Sequence, residues 1–468
     1  MPSWMNRLAR HYRAALLRFP DKQQLILFDI DGTIVDSRES VRALLQAYDR
    51  THATAYFTGL TANAVTVTED HLQPLLADVG VPAALHSAIQ EWCSAHRWSA
   101  EAALASHRPY TGVLEVIRWF QLQPRTSVGL NTARDETLRE TTLRSLNAIG
   151  REFKVRFSSE LLHMNPGGWE EEIQRSKAAA IDSFGDRGYH VFAMIDNEPE
   201  NLRAVAREHP EETLLLLHVD TIFRTRRTRL PPEAVSGTGY RLADIVRTRR
   251  DLPRHITFVW HGVNGPATLR QFLASGIAWG EVDIRSGPGG EIVCDRESDG
   301  AGTLVFQDAL AAVRGAGRFL RIELRDGGRL ADRCIDALHA AGCRDKDLWF
   351  HCDPEVTGAG AIGDLGEAFP GALIQVPGEA VARACGEGGD ACEAVAAARE
   401  LGARRLSFSY MTPNLGATLD FLDRCGMTAD IRRETELDDF LRSVLLMPAS
   451  VASDFRFPPG WDFSGKEE

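Results

Sequence analysis

The sequence predicts an α/β protein of two domains, a Rossmann-like parallel sheet with an inserted helical cap and then a (β/α)₈ barrel of the TIM type. Three observations support this prediction. At 468 residues the chain is longer than one hydrophobic core usually supports. Short apolar runs, typical of strands buried in a parallel sheet, alternate with stretches of helical periodicity. Acidic residues or histidines follow several of these runs, at the edge where α/β sheets bind ligands.

Composition and charge limit the class of protein. The chain is 44% hydrophobic and 25% charged, as in ordinary globular proteins, and its net charge of −12 argues against a nucleic-acid partner. No segment reaches the roughly 18 uninterrupted apolar residues of a membrane-spanning helix, so we expect no membrane partner. The eight cysteines lack the spacing of a zinc site or a disulfide framework, which favours reduced thiols and a cytoplasmic location. The N-terminal residues show no signal-peptide pattern and predict a short amphipathic helix packed on the first domain.

The first predicted strand, Leu25–Phe28, runs directly into two carboxylates, Asp29 and Asp31, and a turn at Gly32. Residues 29 and 31 would share one face of an ideal strand only while the alternation holds, so we expect the Gly32 turn to be needed for Asp29 and Asp31 to converge on one site. One carboxylate could attack a phosphorus or carbon centre while the other transfers a proton. The alternative interpretation is a strand followed by a common Asp-Gly turn.

Helical periodicity without strand alternation follows from about residue 38 to 108, with Val41, Leu44, Leu45 and Tyr48 as an example. This pattern predicts a helical subdomain inserted between the first and second strands.

Two further strands of the first domain also end in polar residues. Ser127–Leu130 leads into Asn131 and Thr132, whose hydroxyl and backbone could hold a phosphate oxygen; alternatively, Thr132 caps a helix that begins at about Arg134. Val191–Ile195 leads into Asp196, so two strand ends carry acids and predict a Mg²⁺ site. Lys177 begins an apolar-periodic helix, where a lysine is usually a solvated surface charge.

Together these residues match a known pattern. The series Asp29-x-Asp31-Gly32-Thr33, Thr132, Lys177 and Asp196, within about residues 22–245, resembles the four motifs of the haloacid dehalogenase-like hydrolases. The resemblance implies that Asp29 is a nucleophile forming an aspartyl-phosphate, and that Asp31 is first the general acid and then the base. An acid at position 31 favours phosphate-ester hydrolysis over dehalogenation, and the inserted helices would be the family's cap.

The resemblance also implies ligand and metal residues. Lys177 would neutralise charge on the nucleophile and the phosphate. Mg²⁺ would be held by the carboxylates of Asp29 and Asp196 and the backbone carbonyl of Asp31, with Asn197 or Glu200 orienting its waters. The predicted phosphate-binding residues of this domain are Gly32, Thr33, Asn131, Thr132 and Lys177.

A basic and then proline- and glycine-rich passage, residues 224–239, is typical of a connector. We place the domain boundary near Asp251, with domains of residues 1–250 and 251–468. Eight apolar runs follow and predict the strands of a (β/α)₈ barrel. They are Thr257–Trp260, Glu281–Ile284, Glu291–Cys294, Phe319–Leu324, Leu348–His351, Ala372–Val376, Arg405–Tyr410 and Val444–Met447.

Acids lie on neighbouring strands of this predicted barrel. Glu281, Asp283 and Glu323 would repel one another inside a barrel without a cation, so they predict a site for Mg²⁺ or Ca²⁺. His261 follows the first strand and His351 ends the fifth.

The second half resembles the phospholipase C-like phosphodiesterases, which include glycerophosphodiester phosphodiesterases and menorin-like proteins. The matching residues are His261-Gly262, Glu281-x-Asp283 and Glu323-x-Arg325. The resemblance implies that His261 is a general acid or base, that the acids bind the metal, and that Arg325 binds phosphate in place of the usual lysine. Cys294 stands where a second histidine is usual. Three alternatives remain open: His351 substitutes for it, the reaction takes another route, or the barrel only binds a ligand.

We therefore expect a Mg²⁺-dependent phosphomonoester hydrolase that acts through an aspartyl-phosphate and is fused to a phosphodiesterase-like barrel. One alternative is that the barrel cuts a phosphodiester and the first domain dephosphorylates the product. The other is that the barrel is a non-catalytic binding or assembly module. In each case the partner is a small phosphorylated substrate.

Overall fold

A computed structural model of the protein describes residues 3–67, 72–96, 107–166, 173–210, 212–221, 229–295 and 304–463. The chain divides into two compact units, Met1–Ile245 and Val246–Glu468. Among the described residues, no helix is long and apolar enough to cross a bilayer.

Unit 1 is built on an open sheet of six parallel strands in the order β3-β2-β1-β4-β5-β6. Helices connect the first five strands along the chain, as the alternation of apolar runs and helical periodicity predicts. The strands are β1 (Gln23–Phe28), β2 (Thr126–Asp135), β3 (Leu162–Asn165), β4 (Tyr189–Asp196), β5 (Leu215–Val219) and β6 (Val235–Gly237). The helices are α1 (Trp4–Arg18), α2 (Ser37–His52), α3 (Gln73–Asp78), α4 (His86–His96), α5 (Val113–Leu122), α6 (Arg139–Gly150), α7 (Ile173–Asp186) and α8 (Pro199–Glu208).

The predicted N-terminal helix is α1. Ser3 caps it by accepting a hydrogen bond from the Asn6 backbone N–H at 3.2 Å. Its apolar face, which includes Leu8 and Tyr12, is buried in unit 1, and the Tyr12 hydroxyl lies 2.7 Å from Thr126 Oγ1 at the start of β2. The amphipathic pattern thus reflects packing on the sheet.

The predicted helical insertion lies between β1 and β2 and contains α2, α3 and α4. It has its own apolar cluster, which includes Leu45, Phe57, Leu76 and Ile89. Residues 68–71 and 97–106 of the predicted insertion lie outside the described residues. Residues 222–228 of the predicted connector do so as well, whereas residues 235–237 are not connector but form the edge strand β6.

Unit 2 is a closed barrel of eight parallel strands, with β7 pairing to both β8 and β16. The barrel strands are β7 (Thr257–Trp260), β8 (Trp279–Ser286), β11 (Phe319–Leu324), β12 (Leu348–Cys352), β13 (Leu373–Pro377), β14 (Arg405–Phe408), β15 (Thr428–Glu434) and β16 (Ser450–Ser453). A hairpin outside the barrel consists of β9 (Ile292–Cys294) and β10 (Leu304–Val305). The helices are α9 (Pro266–Ala274), α10 (Phe306–Gly315), α11 (Leu330–Ala340), α12 (Pro354–Thr357), α13 (Ala359–Ala368), α14 (Glu379–Glu387), α15 (Ala391–Glu400), α16 (Leu415–Arg424) and α17 (Leu437–Leu445).

The predicted number of barrel strands is right, but two of the eight predicted strands are wrong. Glu291–Cys294 contributes β9, which pairs antiparallel with β8 and does not join the barrel. Val444–Met447 covers the end of α17 and the turn after it. The true strands β15 and β16 lack apolar runs because their inward side chains, including Asp430 and Ser450, are polar and hydrogen-bonded inside the barrel.

A buried ion-pair network fills part of the barrel interior. Arg321 of β11 is 1% exposed and contacts both Glu281 of β8 and Asp430 of β15, the latter at 2.8 Å. Burial alone would raise the pKa of Asp430, but the Arg321 charge and the Ser450 hydroxyl outweigh it and the pKa is lowered. Arg321 therefore joins strands on opposite sides of the barrel.

We expect Arg321→Met to destabilise the barrel by about 3–5 kcal/mol, because it leaves two buried carboxylates without their cation. Denaturant unfolding of the full chain measures this loss. As the control, Arg344→Met removes an exposed arginine paired with Asp347 and should cost less than about 1 kcal/mol. Similar losses for the two variants would contradict a structural role for the Arg321 network.

The buried carboxyl of Glu434, the last residue of β15, should make the stability of the protein depend on pH. It is buried and accepts a hydrogen bond from the Tyr410 backbone N–H at 3.3 Å, and burial raises its pKa from 4.5 to about 7. When a carboxyl has a higher pKa in the folded chain than in the unfolded chain, the free energy of unfolding falls as the pH rises between those two pKa values.

Glu434→Gln keeps the acceptor oxygen and should raise the free energy of unfolding by about 1–3 kcal/mol near pH 8 but change it little near pH 4.5. Denaturant unfolding at the two pH values checks this. Glu400→Gln, on the exposed side of α15, is the control and should show no such pH dependence. A gain for Glu434→Gln that is equal at both pH values would rule out titration of Glu434 as its cause.

Candidate functional site

The first candidate site, called the sheet site, consists of Asp29, Lys177 and Asp196. Asp29 follows β1 and Asp196 ends β4, and these two strands are neighbours in the sheet. The chain runs from β1 outward to β2 and β3 and then returns to β4 on the other side of β1, so this is the point where the strand order reverses. Open α/β sheets bind ligands at such a point, beyond the carboxyl ends of the strands.

Lys177 connects the two acids. Its Nζ donates to Asp29 Oδ1 at 2.6 Å, to Asp196 Oδ2 at 2.9 Å and to the Asn131 backbone oxygen at 2.6 Å. The Lys177 side chain is 1% exposed, which excludes the interpretation as a solvated surface charge. The structure thus brings β1, β2, β4 and α7 together around one ammonium group.

The turn after Asp29 is fixed by several contacts. Gly32 has a φ of +77°, a backbone conformation that favours glycine, and a Cβ there would lie 2.3 Å from Asn197 Nδ2, so a larger residue would also have to displace that amide. The Thr33 hydroxyl donates to Asp29 Oδ2 at 3.2 Å. The Thr221 hydroxyl donates to the Gly32 oxygen at 2.6 Å, which ties the turn to the region after β5.

Electrostatics of the sheet site follow from burial. The pKa of Asp29 is raised to about 7, chiefly by desolvation. The Lys177 charge opposes this rise, and the like charges of Asp196 and Asp31 add to it. Burial alone would lower the pKa of Lys177, but Asp196 and Asp29 outweigh it and the pKa is raised. The site therefore holds a fixed positive charge beside its carboxylates.

Asp196 is held on its other side by the start of α8. Its Oδ1 accepts from the Glu198 backbone N–H at 2.8 Å, and Asn201 Nδ2 lies 3.1 Å from both carboxylate oxygens. Sequence reasoning missed Asn201, although its position in the first turns of a helix after Asp196 could have indicated it. Glu200 is partly buried in the same first turn.

Asp31 has a cationic partner that sequence reasoning also missed. Arg134 Nε donates to Asp31 Oδ2 and Nη2 donates to Oδ1, both at 2.7 Å. The Arg134 side chain is 1% exposed and reaches Thr142 Oγ1 at 3.2 Å and His107 Nε2 at 3.4 Å. Burial and the Arg134 charge lower the pKa of His107 to about 4, so its ring is neutral and can accept this hydrogen bond.

Thr132 and Asn131 lie at the end of β2. The alternative that Thr132 caps a helix is wrong, because β2 continues to Asp135 and the next α-helix begins at Arg139. Thr132 is buried and its Oγ1 accepts from the Arg134 backbone N–H at 3.3 Å. The Asn131 side chain donates to the Lys177 backbone oxygen at 2.9 Å, so Asn131 contacts the lysine through both its backbone and its side chain.

The second candidate site, called the barrel site, consists of Glu281, Asp283 and Glu323. All three are buried, and one carboxylate oxygen from each lies within 4.8 Å of the others. Asp283 and Glu323 are partners in the β8–β11 register, and Glu281 lies two residues before Asp283 on the same face of β8. Converging carboxylate oxygens are the donor set that Mg²⁺ and Ca²⁺ prefer.

Basic groups also contact these acids. Arg325 Nε donates to Asp283 Oδ1 at 2.5 Å, and its Nη2 lies 2.9 Å from Glu323 Oε1. Arg321 pairs with Glu281 as described above. Burial alone would raise the pKa of Glu323, but His351 and Arg325 outweigh it and the pKa is lowered.

The two predicted histidines both adjoin the barrel site. His351 Nδ1 lies 3.4 Å from Glu323 Oε2, and its Nε2 lies 3.1 Å from Ser407 Oγ. His261 Nε2 lies 3.6 Å from Glu281 Oε1. Cys294 is buried in β9, and burial together with the Asp283 charge raises its pKa to about 12. Its thiol therefore stays protonated near neutral pH and is a poor substitute for a histidine in proton transfer.

Comparisons with known proteins found no family model that matches the sequence and no match among curated proteins. Solved structures similar to this chain include a glycerophosphodiester phosphodiesterase from Parabacteroides distasonis, with 12% identity over 43% of this chain and 93% of that one and a TM-score of 0.35. A HAD-superfamily hydrolase from Geobacter sulfurreducens has 13% identity over 43% and 89%, with a TM-score of 0.30. A putative phosphoglycolate phosphatase from Lactobacillus plantarum has 15% identity over 42% and 86%, with a TM-score of 0.26. At these identities and TM-scores, none of the three assigns an activity to this chain.

Proposed function

We propose that unit 1 hydrolyses phosphomonoesters through a covalent aspartyl-phosphate on Asp29. The observation that carries this proposal is the position of Lys177, buried between Asp29 and Asp196 beyond the carboxyl ends of β1 and β4. A fixed cation beside a nucleophilic carboxylate suits phosphoryl transfer, since negative charge on the transferring group must be neutralised by preorganised groups.

In the first step an Asp29 carboxylate oxygen attacks the phosphorus, and the bond from phosphorus to the leaving alcohol breaks. Asp31, in its protonated form, supplies the proton that the alcohol takes up, and the oxygen that carries this proton gives up its contact with Arg134. In the second step Asp31 accepts a proton from water as that water attacks the aspartyl-phosphate, which releases inorganic phosphate and restores Asp29. The covalent intermediate divides one difficult displacement into two easier ones.

A divalent cation suits the donors present at the sheet site, because the carboxylates of Asp29 and Asp196 offer oxygen ligands. These two groups and the Asp31 backbone carbonyl would hold Mg²⁺. Once bound, it would supply positive charge to the phosphoryl oxygens, in addition to that of Lys177.

Asp29→Asn should reduce hydrolysis of a generic phosphomonoester on the order of a thousandfold or more, since an amide cannot form the aspartyl-phosphate. Release of inorganic phosphate with Mg²⁺ present measures the effect. The control is Asp21→Asn, an exposed aspartate before β1, which should retain full activity. Equal phosphate release by wild type and Asp29→Asn would rule out the proposed nucleophile.

Arg134 should act as a positioning residue for Asp31. Because it holds both carboxylate oxygens, Arg134→Met should lower kcat by about tenfold or more while KM changes by less than about threefold, as expected for loss of acid–base alignment. Arg134→Lys should recover part of kcat, since lysine supplies charge but no bidentate contact.

Steady-state kinetics of the three proteins checks this role. Arg139→Met, which removes a partly exposed arginine paired with Glu136, is the matched control and should leave kcat unchanged. An unchanged kcat in Arg134→Met, or an equal loss in the Arg139 control, would contradict the positioning role.

For unit 2 we propose a site that binds a divalent cation together with a small phosphorylated ligand. The convergence of Glu281, Asp283 and Glu323 favours this function. The protonated thiol of Cys294, at the position where the resemblance implies a second histidine, favours binding over phosphodiester cleavage by the usual route.

A further inference from the structure

We infer that Arg325 couples the two ligands of the barrel site, so that a divalent cation binds strongly only when a phosphoryl anion draws Arg325 away from Asp283 and Glu323. This inference rests on the proposed function of unit 2 and adds a coupling between its ligands.

The competition follows from shared oxygens. Arg325 bridges Asp283 Oδ1, at 2.5 Å from Nε, and Glu323 Oε1, at 2.9 Å from Nη2. A cation coordinated by the same two carboxylates would sit about 2.0–2.6 Å from their oxygens, in the space next to the guanidinium. Two positive groups at such a short distance repel each other. The cation therefore competes with Arg325 in its observed position.

The carboxylates themselves are held without Arg325. Asn264 fixes Asp283 from both sides: its Nδ2 donates to Asp283 Oδ2 at 2.6 Å, and its Oδ1 accepts from the Asp283 backbone N–H at 2.8 Å. Glu281 is paired with Arg321. Among the described residues, the buried Nδ1 of His351 has no partner in hydrogen-bonding geometry, and it faces Glu323 Oε2 at 3.4 Å. All three carboxylates therefore have neighbours besides Arg325 that hold them in place.

Among the described residues, Arg321 and Arg325 contact this site, and Arg325 is the more exposed of the two. Its side chain is 24% exposed, whereas that of Arg321 is 1% exposed. Because solvent reaches part of the Arg325 side chain, an anion can approach it, and a planar guanidinium can bind a phosphoryl group through two parallel hydrogen bonds. Such an anion replaces the partners that Arg325 gives up and frees Asp283 and Glu323 for the cation.

Linkage makes this coupling reciprocal, because the phosphoryl anion must raise cation affinity by the same factor as the cation raises anion affinity. Mn²⁺ serves as the probe cation and inorganic phosphate as the probe anion, each titrated into the full chain by calorimetry. Mn²⁺ binding at the sheet site should be the same in every variant that alters only unit 2. The component of Mn²⁺ binding that Asp283→Asn removes is therefore that of the barrel site.

We expect phosphate to raise the Mn²⁺ affinity of this component by about tenfold or more in the wild type. Arg325→Met should bind Mn²⁺ without phosphate at least as tightly as the wild type does with it, and phosphate should then change the affinity by less than about twofold. Arg344→Met, the surface control in unit 2, should behave as the wild type. Circular dichroism of each variant verifies that it is folded.

The outcomes separate the two proposals. If Asp283→Asn removes no Mn²⁺ binding with or without phosphate, the proposed function of unit 2 fails. If Asp283→Asn does remove binding, but phosphate has no effect in the wild type or Arg325→Met does not gain affinity, the coupling fails and the cation site stands.

Discussion

The ammonium group of Lys177, buried between Asp29 and Asp196, is the interaction on which the first unit depends. A charge without solvent must be paired, because an isolated ion in the protein interior costs several kcal/mol. The pairing requires α7 to lie above the ends of β1 and β4, and the backbone of Asn131 adds the end of β2. The same contacts that satisfy the lysine therefore bring Asp29, Asp196 and the end of β2 to one edge of the sheet.

The two units solve a similar electrostatic problem in different ways. In each, acids from neighbouring parallel strands meet, and basic side chains neutralise part of their charge. At the sheet site the cations are buried: both Lys177 and Arg134 are 1% exposed. At the barrel site Arg321 is equally buried, whereas Arg325 is half-buried, with 24% of its side chain exposed. A fully buried cation fixes the geometry of its acids, whereas a cation that solvent partly reaches can exchange them for a ligand.

The barrel also shows why apolar runs are an incomplete guide to strands. Asp430 and Ser450 are inward-facing residues of β15 and β16, and they belong to the polar network around Arg321. Their strands consequently carry no apolar run. Val444–Met447 does carry one, but it ends an amphipathic helix that packs on the barrel. Periodicity reports the solvent exposure of a segment, and a polar barrel interior reverses the usual relation between burial and hydropathy.

The sequence by itself determined the fold class, an open parallel sheet followed by an eight-stranded barrel, because strand and helix periodicities are local properties of the chain. It also identified the acids at the strand ends and Lys177 as candidates, since these lie next to apolar runs. Tertiary structure alone decided which groups meet. Arg134 and Asp31 are 103 positions apart in the chain, and the reach of Arg325 to Asp283 depends on the register of two strands. Charge pairing between distant segments leaves no local pattern, so only the folded chain reveals it.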